Sequence, residues 1–236
     1  KQYCNIIMIK KIIIILLITF SINSYADSKK INNVEAEYIF YYKNMKAGTM
    51  SLKINSKDDE VKISTIYDGN FLAELANKGY REEVSYLKRK NDTLIPVKYL
   101  YKDNKDSYEV TFKNKNIEIL GIDQEKIIYD VNEIIYDPIS MLVILMQDFP
   151  NVRETYKVLS KKNIKNYNYN YKKSSSKIIN GKEYTGYSAE YNSGNKTNYF
   201  FFSKNHNNLM VFTSIRKKGK EKIRIELLEI KNSKLK

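Results

Sequence analysis

Cysteine is all but missing from this chain. Cys4 is the single one among 236 residues, and it stands ahead of an apolar run near the start. Everything downstream lacks a thiol for a disulfide, a Cys-based metal site or a covalent nucleophile. Histidine also occurs once, as His206, so a zinc site built of His and Cys is excluded after residue 4. Glycine (8) and proline (3) are scarce and tryptophan is absent. The Gly-x-Ser-x-Gly elbow, the phosphate loop and the dinucleotide fingerprint need glycines at fixed spacings, and none of those patterns occurs. Arginine is confined to positions 81, 89, 153, 216 and 224, so the positive charge is nearly all lysine. Recognition of bases and phosphates leans on the planar guanidinium fork, and no nucleic-acid partner is expected.

The longest apolar run lies at the start. Lys10 and Lys11 precede Ile12-Ile13-Ile14-Ile15-Leu16-Leu17-Ile18-Thr19-Phe20, with Ser24-Tyr25-Ala26 just beyond. A charged segment, an apolar segment and small residues at the positions a signal peptidase reads stand in the order of a secretory signal. The competing reading is a membrane anchor that stays attached, but a spanning helix needs about 20 apolar residues and Thr19 and Ser21 dilute a shorter run. Residues 1–26 are therefore expected to be a cleaved signal peptide, leaving no transmembrane anchor and a single β-rich domain over 27–236. Cys4 lies before the apolar core, where a lipobox cysteine does not. A cysteine-free exported domain fits a bacterial periplasm better than a disulfide-stapled eukaryotic exterior, with secretion as the alternative.

Removing Lys1, Lys10 and Lys11 from the formal charge of +14 leaves +11. Such a charge suits an anionic partner, a membrane or lipopolysaccharide surface. It also has a plain compositional reading: Lys, Asn, Ile and Tyr are abundant together, and all have AT-rich codons.

The mature chain alternates with a period of two over most of its length. Tyr38, Phe40 and Tyr42 share one face, as do Met50, Leu52 and Ile54, then Val61, Ile63 and Thr65. The pattern continues through Val97, Tyr99 and Tyr101, Tyr108, Val110 and Phe112, Tyr167, Tyr169 and Tyr171, and Ile223, Ile225 and Leu227. Successive side chains on a strand point to opposite faces, so these are strands with one buried face. Short polar turns separate them, Asn91-Asp92 and Ser193-Gly194-Asn195 among them, which makes neighbouring strands antiparallel. The expected fold is all-β: an antiparallel meander of about ten strands, curved or an open barrel. The Lys172–Lys177 stretch, rich in serine, reads as a mobile loop between strands.

One segment breaks the rhythm. Asp137 is a good N-cap, Pro138 suits the first helical position, and Pro150 is placed to stop the helix. From Ile139 to Phe149 the apolar residues lie all round, so a helix here is buried, held against or inside the mouth of a curved sheet.

Chemistry-bearing groups are thinly spread. His206 sits in a polar turn; as a general base it would need an orienting partner, and as a metal ligand companions. Ser140 lies three residues after Asp137, the spacing of a helix start. Glu82/Glu83 and Asp58/Asp59 stand in polar segments and read as solvated faces. No catalytic residue, metal or cofactor is assigned. What remains is aromatic surface: 21 tyrosines exceed what a core of this size needs. Tyrosines on a concave face can hold an acyl chain while their hydroxyls stay near water; the alternative is ordinary strand packing inflated by composition. The candidate lining is Tyr99 and Tyr101 from a strand with Met141, Leu142, Leu145 and Met146 from the helix, rimmed by lysines.

Tyr38-Ile39-Phe40-Tyr41-Tyr42-Lys43-Asn44-Met45-Lys46-Ala47-Gly48, an aromatic strand running into an Ala-Gly turn, resembles the opening of the DUF3108 domain. Leu94-Ile95-Pro96-Val97-Lys98-Tyr99 is similar to its Pro-x-x-Tyr strand, and Asp137-Pro138-Ile139-Ser140-Met141-Leu142 to its helix start. The resemblance spans about Val34 to Ile230. It implies an exported bacterial β-rich protein with no established activity, and carries over no site residue. The expected role is a non-catalytic binding module for a lipid or other apolar envelope ligand. An assembly factor acting through a sheet edge is the alternative, and a hydrolase ranks last.

Overall fold

The computed structural model describes residues 32–70, 73–74, 79–123 and 125–233. The expected signal peptide, 1–26, lies outside them, as does most of the segment 71–78.

Every alternating segment is strand. β1 (Val34–Tyr42), β2 (Met45–Lys57), β3 (Glu60–Gly69) and β4 (Arg81–Lys90) are followed by β5 (Thr93–Asp103), β6 (Ser107–Phe112), β7 (Asn116–Gly121) and β8 (Lys126–Asp130). After β9 (Ile135–Tyr136) and the helix α1 (Pro138–Asp148) come β10 (Thr155–Ser160), β11 (Asn163–Ile179), β12 (Lys182–Ser193), β13 (Lys196–Ser203), β14 (Leu209–Lys217) and β15 (Lys220–Ser233). Among the described residues there are fifteen strands rather than about ten, all in one sheet ordered β8-β7-β6-β5-β4-β3-β2-β1-β15-β14-β13-β12-β11-β10-β9. The chain is thus two meanders joined where β1 pairs with β15. Tight turns set the hairpins: Lys43 and Asn44, like Asn91 and Asp92, both adopt positive φ, as a two-residue turn matched to strand twist requires.

The sheet is open. Its edge strands are short, β8 with 5 residues and β9 with 2. Side chains bridge the two halves instead of a ladder: the Tyr129 hydroxyl on β8 donates to the Lys162 carbonyl at 2.8 Å, and Lys162 Nζ lies 3.8 Å from Asp106 Oδ1 in the β5–β6 turn. β9 and β10 pair in parallel, and α1 makes the crossover between them.

That crossover decides what the barrel contains. The Asp137 carboxylate accepts hydrogen bonds from the backbone N–H of Ile139 (3.1 Å) and Ser140 (2.8 Å), and from the Ser85 hydroxyl (2.6 Å) midway along β4. The other end of α1 sits by the β4–β5 and β13–β14 turns, where Gln147 Nε2 donates to the Asp92 carbonyl (3.3 Å) and Asn208 Nδ2 to the Met146 carbonyl (3.0 Å). The helix therefore runs from the middle of the barrel to one end and fills that half. Phe149, Tyr187 and Phe202 pack beside it, the Phe149 ring centroid 5.0 Å from each of the other two. Each large side chain so buried contributes roughly 1.5–3 kcal/mol.

The serine-rich stretch 172–177 is strand, not loop. It belongs to the 17-residue β11, with an irregularity between Lys172 and Ser175 in its pairing to β12. There the β11–β12 hairpin bends and its tip reaches across β13 and β14 to β15. Lys177 Nζ lies 3.7 Å from the Phe212 ring centroid, and Asn180 Nδ2 donates to the Leu227 carbonyl at 3.1 Å. Gly186 makes the bend possible, because a Cβ there would stand 1.8 Å from the Phe202 carbonyl oxygen.

Candidate functional site: a half-filled barrel

Register builds the wall of the unfilled half. Thr65 pairs with Glu83, Glu83 with Tyr101 and Tyr101 with Tyr108, while Tyr67 pairs with Arg81 and Arg81 with Asp103. Residues opposite one another share a face, so β3 to β6 bring these polar and aromatic side chains together on the concave side. α1 supplies the floor with Ile139, Met141, Leu142 and Leu145. Tyr167, Tyr169 and Tyr191 form the facing wall, with Tyr167 and Tyr191 stacked at 4.1 Å. The cavity measures about 740 Å³, and Lys105, Lys161 and Lys196 stand among its lining residues at the open end.

A charged group lies within this aromatic lining. Arg81 Nε is 2.9 Å from Glu83 Oε1, and its guanidinium lies 3.8 Å from the Tyr67 ring centroid. The Tyr99 hydroxyl donates to Glu83 Oε2 at 2.7 Å. Glu83 is 4 % exposed, a carboxylate that only its cation and hydroxyl partners make tolerable at that depth. The Tyr101 hydroxyl donates to Asp103 Oδ2 at 2.6 Å, and Asp103 Oδ1 accepts from the backbone N–H of Lys105 and Asp106.

Proximity and burial compete at each of these groups. Burial is the strongest influence on Arg81 and works against its charge, but Glu83 together with Tyr67, Tyr99 and Tyr101 outweighs it and raises the guanidinium pKa above its ordinary value. Burial, then the nearby Glu83 charge, pushes the Tyr99 hydroxyl far above the ordinary tyrosine range. Burial first, then the bond to Asp103, raises Tyr101 as well. Beneath them, burial pushes Asp137 up to about 6 although Ser85 and Ser140 donate to it.

Of the side chains expected from sequence, Tyr99, Tyr101, Met141, Leu142 and Leu145 come together on this cavity. Met146 does not. It is buried at 8 % exposure one helical turn beyond Leu142, in the filled half. Glu83 corrects the reading of Glu82/Glu83 as a solvated pair, and Tyr67 and Arg81 join it unforeseen. Strand parity was the available signal: Glu83, Ser85 and Leu87 are the buried positions of β4. His206 is in a turn, as expected, with Nδ1 2.8 Å from the Ser203 hydroxyl and its ring 5.6 Å from that of Tyr184. Burial, then Lys182, lowers its pKa. Among the described residues no His, Cys, Asp and Glu side chains gather as a metal ion would require.

Fold and site together define a β-barrel-like protein with an open sheet and one helix inside it. A solved structure has the same fold: a β-barrel-like protein of domain of unknown function DUF1849 from Brucella abortus. It is 9 % identical with a TM-score of 0.54, over 85 % of this chain and 98 % of that one. No family model and no curated protein matches the sequence.

Proposed function

We propose that this chain is a non-catalytic binding module of the bacterial envelope that holds a lipid or similar amphipathic molecule in the half-filled barrel. The observation that carries the reading is the cavity of about 740 Å³ between the concave sheet and the α1 floor. Its size falls in the roughly 300–1,000 Å³ range of ligand pockets. Met141, Leu142 and Leu145 offer an apolar body its contacts, and the tyrosine and Arg81 walls offer a polar end its partners. The charged groups are already tied to one another, Arg81 with Glu83 and Asp103 with its own turn, an arrangement that suits binding better than proton transfer. Export to the periplasm belongs to the same proposal. It rests on the Lys10–Ala26 pattern and on the resemblance to DUF3108, a finer family assignment that is likewise proposed. Strand addition at a sheet edge has less support, because the edges are 5 and 2 residues long.

Titration with a dansyl-labelled fatty acid tests the reading. Binding with a blue-shifted emission is expected, weakened about tenfold or more by Leu142→Trp, which fills the floor. Met146→Leu, outside the cavity wall, should leave binding unchanged. Equal binding by Leu142→Trp and the unaltered protein would sink the proposal.

A further inference from the structure

In an up-and-down sheet every second turn lies at the same end, so the topology sorts the turns into two sets. The β1–β2, β14–β15, β12–β13 and β10–β11 turns lie at the cavity's open end, side by side in the sheet order. Hydrogen bonds join three of these hairpins around the rim: Lys43 N–H donates to the Lys222 carbonyl at 3.0 Å, and Lys218 N–H to the Asn195 carbonyl at 3.3 Å. Along this arc stand Lys43, Lys161, Lys196, Lys217, Lys218 and Lys220, all exposed, and the turns hold no acidic residue. Among the described residues none of these lysines has a carboxylate within ion-pair distance, while Lys162 beside them is held by Asp106 at 3.8 Å. Met45 adds an apolar side chain 48 % exposed next to Lys43.

Compositional bias toward lysine does not account for the arc, because bias acts on both ends alike. At the far end the β2–β3 turn reads Lys57-Asp58-Asp59-Glu60, the β4–β5 turn Lys90-Asn91-Asp92 and the β11–β12 turn Asn180-Gly181-Lys182-Glu183, while the β6–β7 turn Lys113-Asn114-Lys115 and the β13–β14 turn Lys204-Asn205-His206-Asn207-Asn208 hold no acid, Lys113 being paired with Glu118 on β7. There the signs are mixed. The remaining turns at the open end, with Asp103, Asp106, Asp123 and Glu125, are acidic, so the basic charge is confined to one arc of the rim.

We propose that this lysine arc docks the open end of the barrel onto an anionic lipid bilayer. The partner is committed by charge complementarity and by position: unpaired lysines with one exposed methionine suit a headgroup layer with acyl chains below it, and the cavity opens where the lysines stand. This rests on the cavity reading, since docking there would put the mouth against the source of an amphipathic ligand.

Co-sedimentation with phosphatidylglycerol/phosphatidylcholine vesicles, and with phosphatidylcholine vesicles alone, tests it. Binding is expected with the anionic vesicles only, falling steeply as salt rises. Lys196→Gln/Lys217→Gln/Lys218→Gln should weaken it on the order of 100-fold. Lys57→Gln/Lys88→Gln/Lys90→Gln removes the same charge at the far end, several Debye lengths away, and should leave it nearly unchanged. Both variants keep residues 1–31, so that segment contributes equally to each. Equal losses from both triples, or equal binding to both kinds of vesicle, would overturn the proposal. The dansyl fatty acid is titrated into the same proteins without vesicles. Failure there with the vesicle pattern intact overturns the cavity reading and leaves the docking surface standing.

Discussion

Asp137 is fully enclosed in protein, and its carboxylate pays for that position in solvation. Its bonds from Ser85, Ile139 and Ser140 favour the charged form, yet burial wins and the pKa rises to about 6. The native state therefore binds this proton more tightly than the unfolded chain, whose carboxylate titrates near pH 4. Stability from this group is greatest below about pH 4, falls as pH climbs to about 6 and is level above it. Asp137→Asn keeps an oxygen for the helix cap and removes the titration. Urea unfolding at pH 4, 5, 6 and 7 should show the unaltered protein losing up to about 3 kcal/mol relative to the variant across that window; parallel curves would refute it. At this scale Tyr99 and Tyr101 were legible, because alternation puts them on a face that has to be covered. Arg81 and Glu83 were not. A charged pair in a polar stretch looks solvated until the register sets Tyr67 and Tyr99 beside it.

Among the elements, α1 was readable from its punctuation, since a capping carboxylate, a first-turn proline and a terminating proline act within one segment. The β11–β12 hairpin was not, because serines at 174–176 carry no hydrophobic alternation and what orders them is pairing with β12. Its bend depends on Gly186, where β12 passes against the Phe202 carbonyl. Gly186→Ala forces that contact open and should cost about 1–3 kcal/mol in chemical denaturation. Hydrogen exchange should show the added opening at residues 175–186, as the hairpin tip loses its seat on Phe212 and Leu227. A variant as stable as the unaltered protein would show the bend to be slack.

Over the whole molecule, the sheet's curvature and the helix it holds were legible, and which half of the barrel that helix fills was not. Which half of the barrel α1 fills depends on the parallel pairing of β9 with β10, a contact between segments that no local pattern announces. Charge is the other property of the whole. A formal +14 repels itself, most strongly where the unpaired lysines crowd the rim. Raising salt from about 0.02 to 0.3 M shortens the screening length several-fold, and the thermal midpoint should rise with it. Lys196→Gln/Lys217→Gln/Lys218→Gln should raise it at low salt and little at high salt. A midpoint insensitive to salt would mean that ion pairs such as Lys98–Glu109, which screening weakens, balance the repulsion.

The helix that occupies one half of the barrel also stops that end. If a ligand binds there as proposed, a vessel with a single door gives it no through-route, and it goes in and comes out by the same path. Direction of transfer cannot then be built into the passage. It has to come from outside, from which surface the door faces and how strongly that surface competes for the cargo.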